Sequence, residues 1–172
     1  METPLSDPDA WDAGPDIASL RDVTGTIERR MLRLITEGTR KVVSLADMTS
    51  ELTLLAKDVK RCYARAADLR ERRDVSFGAH RALQEIGHQC IWLYRRLHLE
   101  QVFFQKLHLE MRLRAVLSAE ARQIYEELLD VDYAGKEFET QSDAEIGRVL
   151  LERDDDGTVR PHPRIVRRTA LL

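Results

Sequence analysis

The sequence contains one short motif with metal-binding chemistry, Glu85-Ile86-Gly87-His88. A Glu-x-x-His spacing places a carboxylate and an imidazole on one side of a helix, as in the di-iron helical bundles. Those sites require two such motifs and two further inward-facing glutamates, whereas this sequence has a single motif. We therefore predict neither a bound metal ion nor a cofactor.

Three histidines, His88, His98 and His108, recur at ten-residue intervals. Ten residues rotate a helix by about 280°, so these side chains do not share a face and do not form a ligand set. The sequence also lacks a Gly-rich phosphate loop and a nucleophile elbow. These features predict a protein that is not an enzyme.

The two cysteines, Cys62 and Cys90, have no CxxC motif or histidine cluster beside them, so the sequence does not predict a metal or redox site there. So few cysteines, together with the lack of a basic-then-apolar leader, predict an intracellular protein, cytoplasmic or nuclear. The apolar runs are far shorter than the about 20 residues of a transmembrane helix, so we expect no membrane-spanning segment.

The composition favours long helices. The chain has 172 residues, of which 43% are hydrophobic, 33% are charged and only 6% are aromatic. All five prolines lie outside 16–160, three of them in the acidic segment 1–16, which we expect to be a disordered tail. The net charge of −3 is too small to predict binding to nucleic acid or membranes by the chain as a whole.

A seven-residue apolar repeat begins at Ile17 and continues in one phase to Leu69. Thirteen of its sixteen a and d positions are apolar, which is typical of coiled-coil packing. We predict a first helix over 17–72. Gly38 weakens this helix, and Ser44 followed by Asp47 has the pattern of a new helix start, so a kink or break near 36–44 is an open alternative.

A second repeat follows the turn-prone segment 73–78 and predicts a second helix over 79–130. Two arms of similar length joined by a short turn predict a long antiparallel hairpin, or coiled coil, over 17–130. Centring the turn on Ser76 places Leu69 opposite Leu83 and Cys62 opposite Cys90, close enough for a disulfide under mild oxidation. At the far end of the arms the same register pairs 17–34 with 118–135 and places Ile27 opposite Tyr125. If the first arm breaks near Gly38, the alternative fold is a four-helix bundle.

The second arm also has apolar residues on its outer face, opposite the hairpin seam. A helix that is apolar on two faces is buried on two faces. We therefore predict a partner-binding stripe made of Trp92, Leu99, Val102, Phe103, Leu109, Leu113 and Val116. Residues 131–153 read as a linker and a short helix, in which Ser142 and Glu145 form a capping box. That helix is too short to cover the whole stripe, so another polypeptide is expected to complete the cover.

Basic residues cluster near the predicted hairpin turn, namely Lys57, Lys60, Arg61, Arg65, Arg70, Arg72 and Arg73. Acidic residues interrupt the cluster, which favours a salt-bridged, solvated face over a nucleic-acid site. The final segment, 154–172, is acidic and then basic, and we expect it to be a second tail.

Taken together, these patterns predict an all-α, non-catalytic subunit of a multi-subunit helical assembly, of the kind used in cytoskeletal, kinetochore or vesicle-tethering scaffolds. We expect its partners to be other helical proteins, in a hetero-oligomer rather than a homo-oligomer, without a small-molecule substrate. The alternative is a nucleic-acid-associated helical protein that uses the arginine-rich turn and the basic C-terminal segment.

Overall fold

The computed structural model describes residues 11–39, 44–115 and 118–151, and 91% of them are helical. The helices are α1 (Gly14–Thr39), α2 (Leu45–Arg70), α3 (Phe77–Ala115), α4 (Ser118–Thr140) and α5 (Asp143–Leu151). The described residues contain no strand, so the predicted all-α class is confirmed. Most of the predicted acidic tail, all of 154–172 and the position Val116 lie outside the described residues.

The longest helix, α3, is the centre of the fold, because each of the other four helices packs against it. It has 39 residues, which corresponds to about 58 Å of helix. Helices α1 and α2, with 26 residues each, cover its N-terminal part together with α5, and α4 covers its C-terminal part. α3 therefore contributes buried side chains to both hydrophobic clusters of the protein, as the two apolar faces in its sequence predict.

Helices α2 and α3 form an antiparallel hairpin along the seam that the heptad pattern predicts. The buried seam residues of α2 are Met48, Leu52, Leu55, Val59, Cys62, Ala66 and Leu69. Those of α3 include Leu83, Ile86, Cys90, Leu93, Leu97 and Phe104. The predicted Cys62 and Cys90 layer is present, since the two thiols lie within hydrogen-bonding distance of each other.

The single helix predicted over 17–72 is two helices in the structure, and α1 folds back against α2. Three contacts fix its antiparallel direction: the ion pair of Arg65 with Asp16 at 3.4 Å, the ion pair of Arg30 with Glu51 at 3.6 Å, and the Cys62 thiol facing a carbonyl of α1. The apolar stripe of α1 therefore packs on α2 and on the N-terminal part of α3. The predicted pairing of 17–34 with 118–135 is therefore absent. The structure instead has the alternative that the sequence left open, in which the first arm breaks near Gly38.

The local sequence explains the helix start after this break. Ser44 is the N-cap of α2, and its Oγ accepts a hydrogen bond from the Asp47 amide at 3.1 Å. This side chain satisfies one of the amides that the start of a helix leaves without an intrahelical partner. The fresh helix start suggested by Ser44 and Asp47 is therefore confirmed.

The second arm also differs from the helix predicted over 79–130. α3 ends at Ala115, and α4 begins at Ser118 and runs back along α3 to Thr140, through the segment predicted to be a linker. Two contacts define its antiparallel direction: Lys106 pairs with Asp132 at 2.9 Å, and the earlier Arg95 of α3 donates to the carbonyl oxygen of the later Phe138 of α4 at 3.0 Å. Folding back lets α4 bury Ile124 and Val131 against Leu109 of α3, which a straight continuation would leave exposed.

The short C-terminal helix is confirmed, together with its capping box. The Ser142 amide donates to Glu145 Oε2 at 2.9 Å, and the Glu145 amide donates to Ser142 Oγ at 3.2 Å. Ile146 and Leu150 of α5 are buried in the main cluster, where α5 contacts both α2 and α3. α5 thus packs against both helices of the α2–α3 hairpin, and a Cβ atom built on Gly147 would lie near the side chains of Tyr63 and Ile91.

Gly38 determines how closely α1 approaches its neighbours. A Cβ atom built at this position would overlap the Met48 methyl group and would lie 2.7 Å from Phe104 Cζ. Both of these side chains are buried, so neither can move away without disturbing the core.

We predict that Gly38→Ala destabilises the protein by about 1 to 3 kcal/mol, because overpacking outweighs the better helix propensity of alanine. Gly25→Ala is the matched control on the same helix, since the nearest atom to a Cβ there is Arg29 Nη1 at 3.4 Å. Urea unfolding should show a lower midpoint for Gly38→Ala and an unchanged or higher midpoint for Gly25→Ala. Equal stabilisation by both substitutions would contradict the close packing of α1.

Candidate interaction surface

The structure divides the predicted stripe into a covered part and an open part. Leu109 is buried with Ile124 and Val131 of α4, and Val102 and Leu113 pack against the same cluster. The chain itself therefore covers these three members of the stripe. The sequence pattern did not reveal this, because it assigned the residues of α4 to a continuation of the second arm and to a linker.

The open part consists of Trp92, Leu99 and Phe103, which we call the outer strip. Trp92 is 50% exposed and Phe103 is 49% exposed, while Leu99 is partly buried. Two side chains that are eleven residues apart on a helix point in nearly the same direction and are separated by about 16 Å along its axis. Trp92 and Phe103 therefore project from one side of α3, with Leu99 between them.

Packed seams border the outer strip on both sides. Residues of α3 that contact α4 include Val102 and Lys106, and residues buried toward α1 and α2 include Leu93 and Phe104. The buried Phe104 ring holds the Phe103 ring edge to face, with centroids 5.4 Å apart. The outer strip is therefore a ridge of α3 that α1 and α4 flank but do not cover.

Ion pairs lie on either flank of this ridge. Arg96 pairs with Glu100 at 2.7 Å on one flank, and Lys106 pairs with Asp132 at 2.9 Å on the other. The hydrogen bond from Lys106 lowers the pKa of the Asp132 carboxyl group and raises the pKa of Lys106. An apolar centre with a polar rim is the usual composition of a protein–protein interface.

Helix α4 presents a second set of exposed apolar side chains. Tyr125, Leu129 and Tyr133 are spaced by four residues and lie on the side of α4 away from its seam. The sequence analysis placed Tyr125 in the hairpin seam opposite Ile27, and the structure corrects this position. The actual seam residues, Ile124 and Val131, belong to a different heptad phase.

Arg95 connects α3 to the junction between α4 and α5. Its Nη1 donates to the carbonyl oxygens of Phe138, Glu139 and Gln141 at 3.0, 3.3 and 2.8 Å. Its Nη2 pairs with Asp143 Oδ1 at 2.9 Å. The guanidinium group therefore caps the C-terminus of α4, where carbonyl groups lack helical partners, and holds the first turn of α5.

His98 lies close to this junction in an apolar aromatic setting. It is 4% exposed and is stacked on Phe138 with ring centroids 4.5 Å apart, and Tyr94 meets its ring edge to face at 4.4 Å. Within the described part of the chain neither ring nitrogen has a hydrogen-bond partner, and burial lowers the pKa of His98 to about 4. The imidazole is therefore neutral near pH 7.

The other residues that could bind a metal ion do not lie close enough together to form a site. Glu85 forms an exposed ion pair with Arg81 at 3.5 Å, and His88 and His108 are exposed while His98 is buried. Among the residues that the structure describes, no group of three or more His, Cys, Asp or Glu side chains is arranged to hold a metal ion.

Three of the seven basic residues near the hairpin turn pair with acids. The ion pairs join Arg61 to Asp58 at 3.5 Å, Arg65 to Asp16 at 3.4 Å and Arg72 to Asp74 at 3.1 Å. The Arg72 guanidinium also lies over the Trp11 ring, 4.4 Å from its centroid. Trp11 is thus partly buried against the core rather than projecting from a tail.

None of the helices within the described ranges is long and apolar enough to cross a membrane. Comparison of the chain with protein-family models, with curated proteins and with solved structures finds no match in any of the three. The candidate surface is therefore defined by its geometry alone.

We predict that Arg95→Met destabilises the protein by about 2 to 3 kcal/mol, because three carbonyl groups and Asp143 lose a charged donor. Arg33→Met is the control, since Arg33 is highly exposed and its i,i+4 pair with Glu37 contributes at most about 0.5 kcal/mol. Urea unfolding measures both effects, and hydrogen exchange should show faster exchange in α5 for Arg95→Met. Equal losses in the two variants would exclude a special role for Arg95.

His98 also predicts a pH dependence of stability. The unfolded state takes up a proton below the ordinary histidine pKa of about 6.5, whereas the folded state does so only below about 4. The free energy of unfolding should therefore fall by about 2 to 3 kcal/mol as pH decreases from 6.5 to 4, with no further contribution below that window.

His98→Phe should abolish this part of the pH dependence and should retain stability at pH 7, because no hydrogen bond is lost. Denaturant unfolding at a series of pH values gives the comparison. An identical profile for His98→Phe and the wild-type protein would show that His98 is not the titrating group.

Proposed function

We propose that the protein is a non-catalytic interaction subunit that binds an amphipathic helix of a different protein through the outer strip. The observation that carries this proposal is the pair of half-exposed aromatic side chains, Trp92 and Phe103, on one side of the central helix. Tryptophan is enriched among the residues that dominate binding energy at protein interfaces.

A helix is the partner that fits this surface best. The outer strip is straight, about 16 Å long between Trp92 and Phe103, and flanked by α1 and α4. A helix can lie along such a ridge with anchors spaced by three, four and seven residues. The ion pairs on its flanks, Arg96 with Glu100 and Lys106 with Asp132, give the rim charges of both signs, which can select the orientation of the partner.

This proposal retains the assembly type that the sequence favours, a hetero-oligomeric helical scaffold of the cytoskeletal, kinetochore or vesicle-tethering kind, located in the cytoplasm or nucleus. Because part of the original stripe is buried under α4, the proposed docking site narrows to Trp92, Leu99 and Phe103. The nucleic-acid alternative is weaker, because three arginines of the basic cluster pair with carboxylates.

The test is affinity purification of the full chain from its native source, with Trp92→Glu and Phe103→Glu combined in one variant. We expect this variant to lose a partner that the wild-type protein retains. The control combines Leu54→Glu and Phe77→Glu, which change side chains that are 51% and 85% exposed elsewhere on the protein. The control variant should keep the partner.

A photo-crosslinking residue at position 99 would then identify the partner segment. Crosslinks to a helical segment of another protein are the expected result. Retention of every partner by the Trp92 and Phe103 variant, while circular dichroism and the urea midpoint match the wild type, would refute the outer strip as the docking surface.

A further inference from the structure

Cys62 and Cys90 are the only cysteines of the sequence, and they meet across the seam between α2 and α3. Both are free thiols and both are buried, at 3% and 0% exposure. The two thiols interact with each other through a hydrogen bond, and the Cys62 thiol donates to the Leu20 carbonyl oxygen of α1 at 3.9 Å. The two sulfurs are therefore already neighbours beneath α1.

Small residues flank this pair where α2 and α3 meet. Ala66 is the next seam residue of α2, and Gly87 of α3 faces the Tyr63 ring of α2, since a Cβ atom there would lie 3.6 Å from it. A disulfide needs the two Cα atoms within about 4.4 to 6.8 Å, a separation that close helix packing permits. A CxxC motif is unnecessary here, because the fold itself brings the two thiols together.

The environment gives the two cysteines different chemical roles. The hydrogen bond with Cys90 lowers the pKa of Cys62. The same hydrogen bond and burial raise the pKa of Cys90. Cys62 lies directly against α1, with its Sγ 3.9 Å from the Leu20 carbonyl oxygen, so movement of α1 exposes Cys62 first. Cys62 therefore reacts as the nucleophile, and Cys90 is the resolving thiol.

Access to Cys62 depends on α1. The N-terminal half of α1 packs over the pair through Ile17 and Leu20, which are buried in the same cluster as the cysteines. A reagent in solution reaches Cys62 only when this part of α1 moves away, as in the local openings that proteins undergo below global unfolding.

We propose that Cys62 and Cys90 are a redox-active dithiol that a low-molecular-weight disulfide such as glutathione disulfide oxidises to an intramolecular disulfide, at a rate set by the undocking of α1. The Cys62 thiolate attacks one sulfur of the oxidant, forming a mixed disulfide and releasing one thiolate. Cys90, deprotonated by solvent in the opened state, then attacks the Cys62 sulfur and releases the second thiolate. Two protein thiols lose two electrons, and the oxidant is reduced to two thiols.

The experiment incubates the full-length protein with glutathione disulfide and follows the product by intact mass and by non-reducing electrophoresis. We expect a monomer whose mass falls by two hydrogens, with a Cys62–Cys90 crosslink in its peptides and full reversal by a dithiol reductant. Cys90→Ser should stop at the mixed disulfide on Cys62. Stable mixed disulfides or crosslinked dimers of the wild-type protein, or a reaction only in denaturant, would overturn the proposal.

A pair of matched variants on α1 tests whether the undocking of this helix sets the oxidation rate. Leu20→Ala removes a buried contact over the cysteines and should raise the oxidation rate severalfold, whereas Val23→Ala, on the exposed side of the same helix, should leave it unchanged. Ile17→Val is the milder substitute if Leu20→Ala fails to fold. Equal rates in the wild type, the buried variant and the exposed variant would refute control by α1, whatever the product.

Discussion

The constraint on which the rest of the structure depends is the apolar surface of α3, which extends around most of the circumference of the helix. Burying an apolar side chain contributes about 1.5 to 3 kcal/mol, and no single neighbouring helix can cover more than one side. Helices α1, α2, α4 and α5 therefore all gather on α3. The two chain reversals, one between α1 and α2 and one between α3 and α4, bring them there.

The sequence predicts the helices and one seam well, and the chain reversals poorly. The a and d pattern from Ile17 to Leu69 keeps one phase, and its positions within 17–38 and 48–69 are buried in the structure. One continuous helix and two helices folded back on each other would bury the same a and d residues. The phase of the repeat therefore cannot distinguish these two arrangements. Only Gly38 and the Ser44 cap indicated the break, and both are local signals without information on direction.

The position of α4 on the candidate surface is a second chain reversal that the heptad pattern does not predict. The sequence predicts the second apolar face of α3, and α4 covers half of that face in the structure. The side chains of α4 that cover it, Ile124 and Val131, are not a or d positions when the heptad repeat of α3 is continued into α4. The repeat therefore did not predict this contact. The sequence pattern also does not predict the hydrogen bonds of Arg95 at the junction between α4 and α5. Arg95 has no sequence signal for capping, since its acceptors are backbone carbonyl groups more than 40 residues away.

The account as a whole requires α1 to lie antiparallel beside α2, since this arrangement covers the cysteine pair and leaves the outer strip as the uncovered ridge. Spin labels at the exposed positions Ser19 and Arg61, in a variant with both native cysteines changed to serine, measure this directly by electron double resonance. The account predicts a separation of at most about 20 Å, two helix diameters. A separation near the about 63 Å expected for one continuous helix would contradict it.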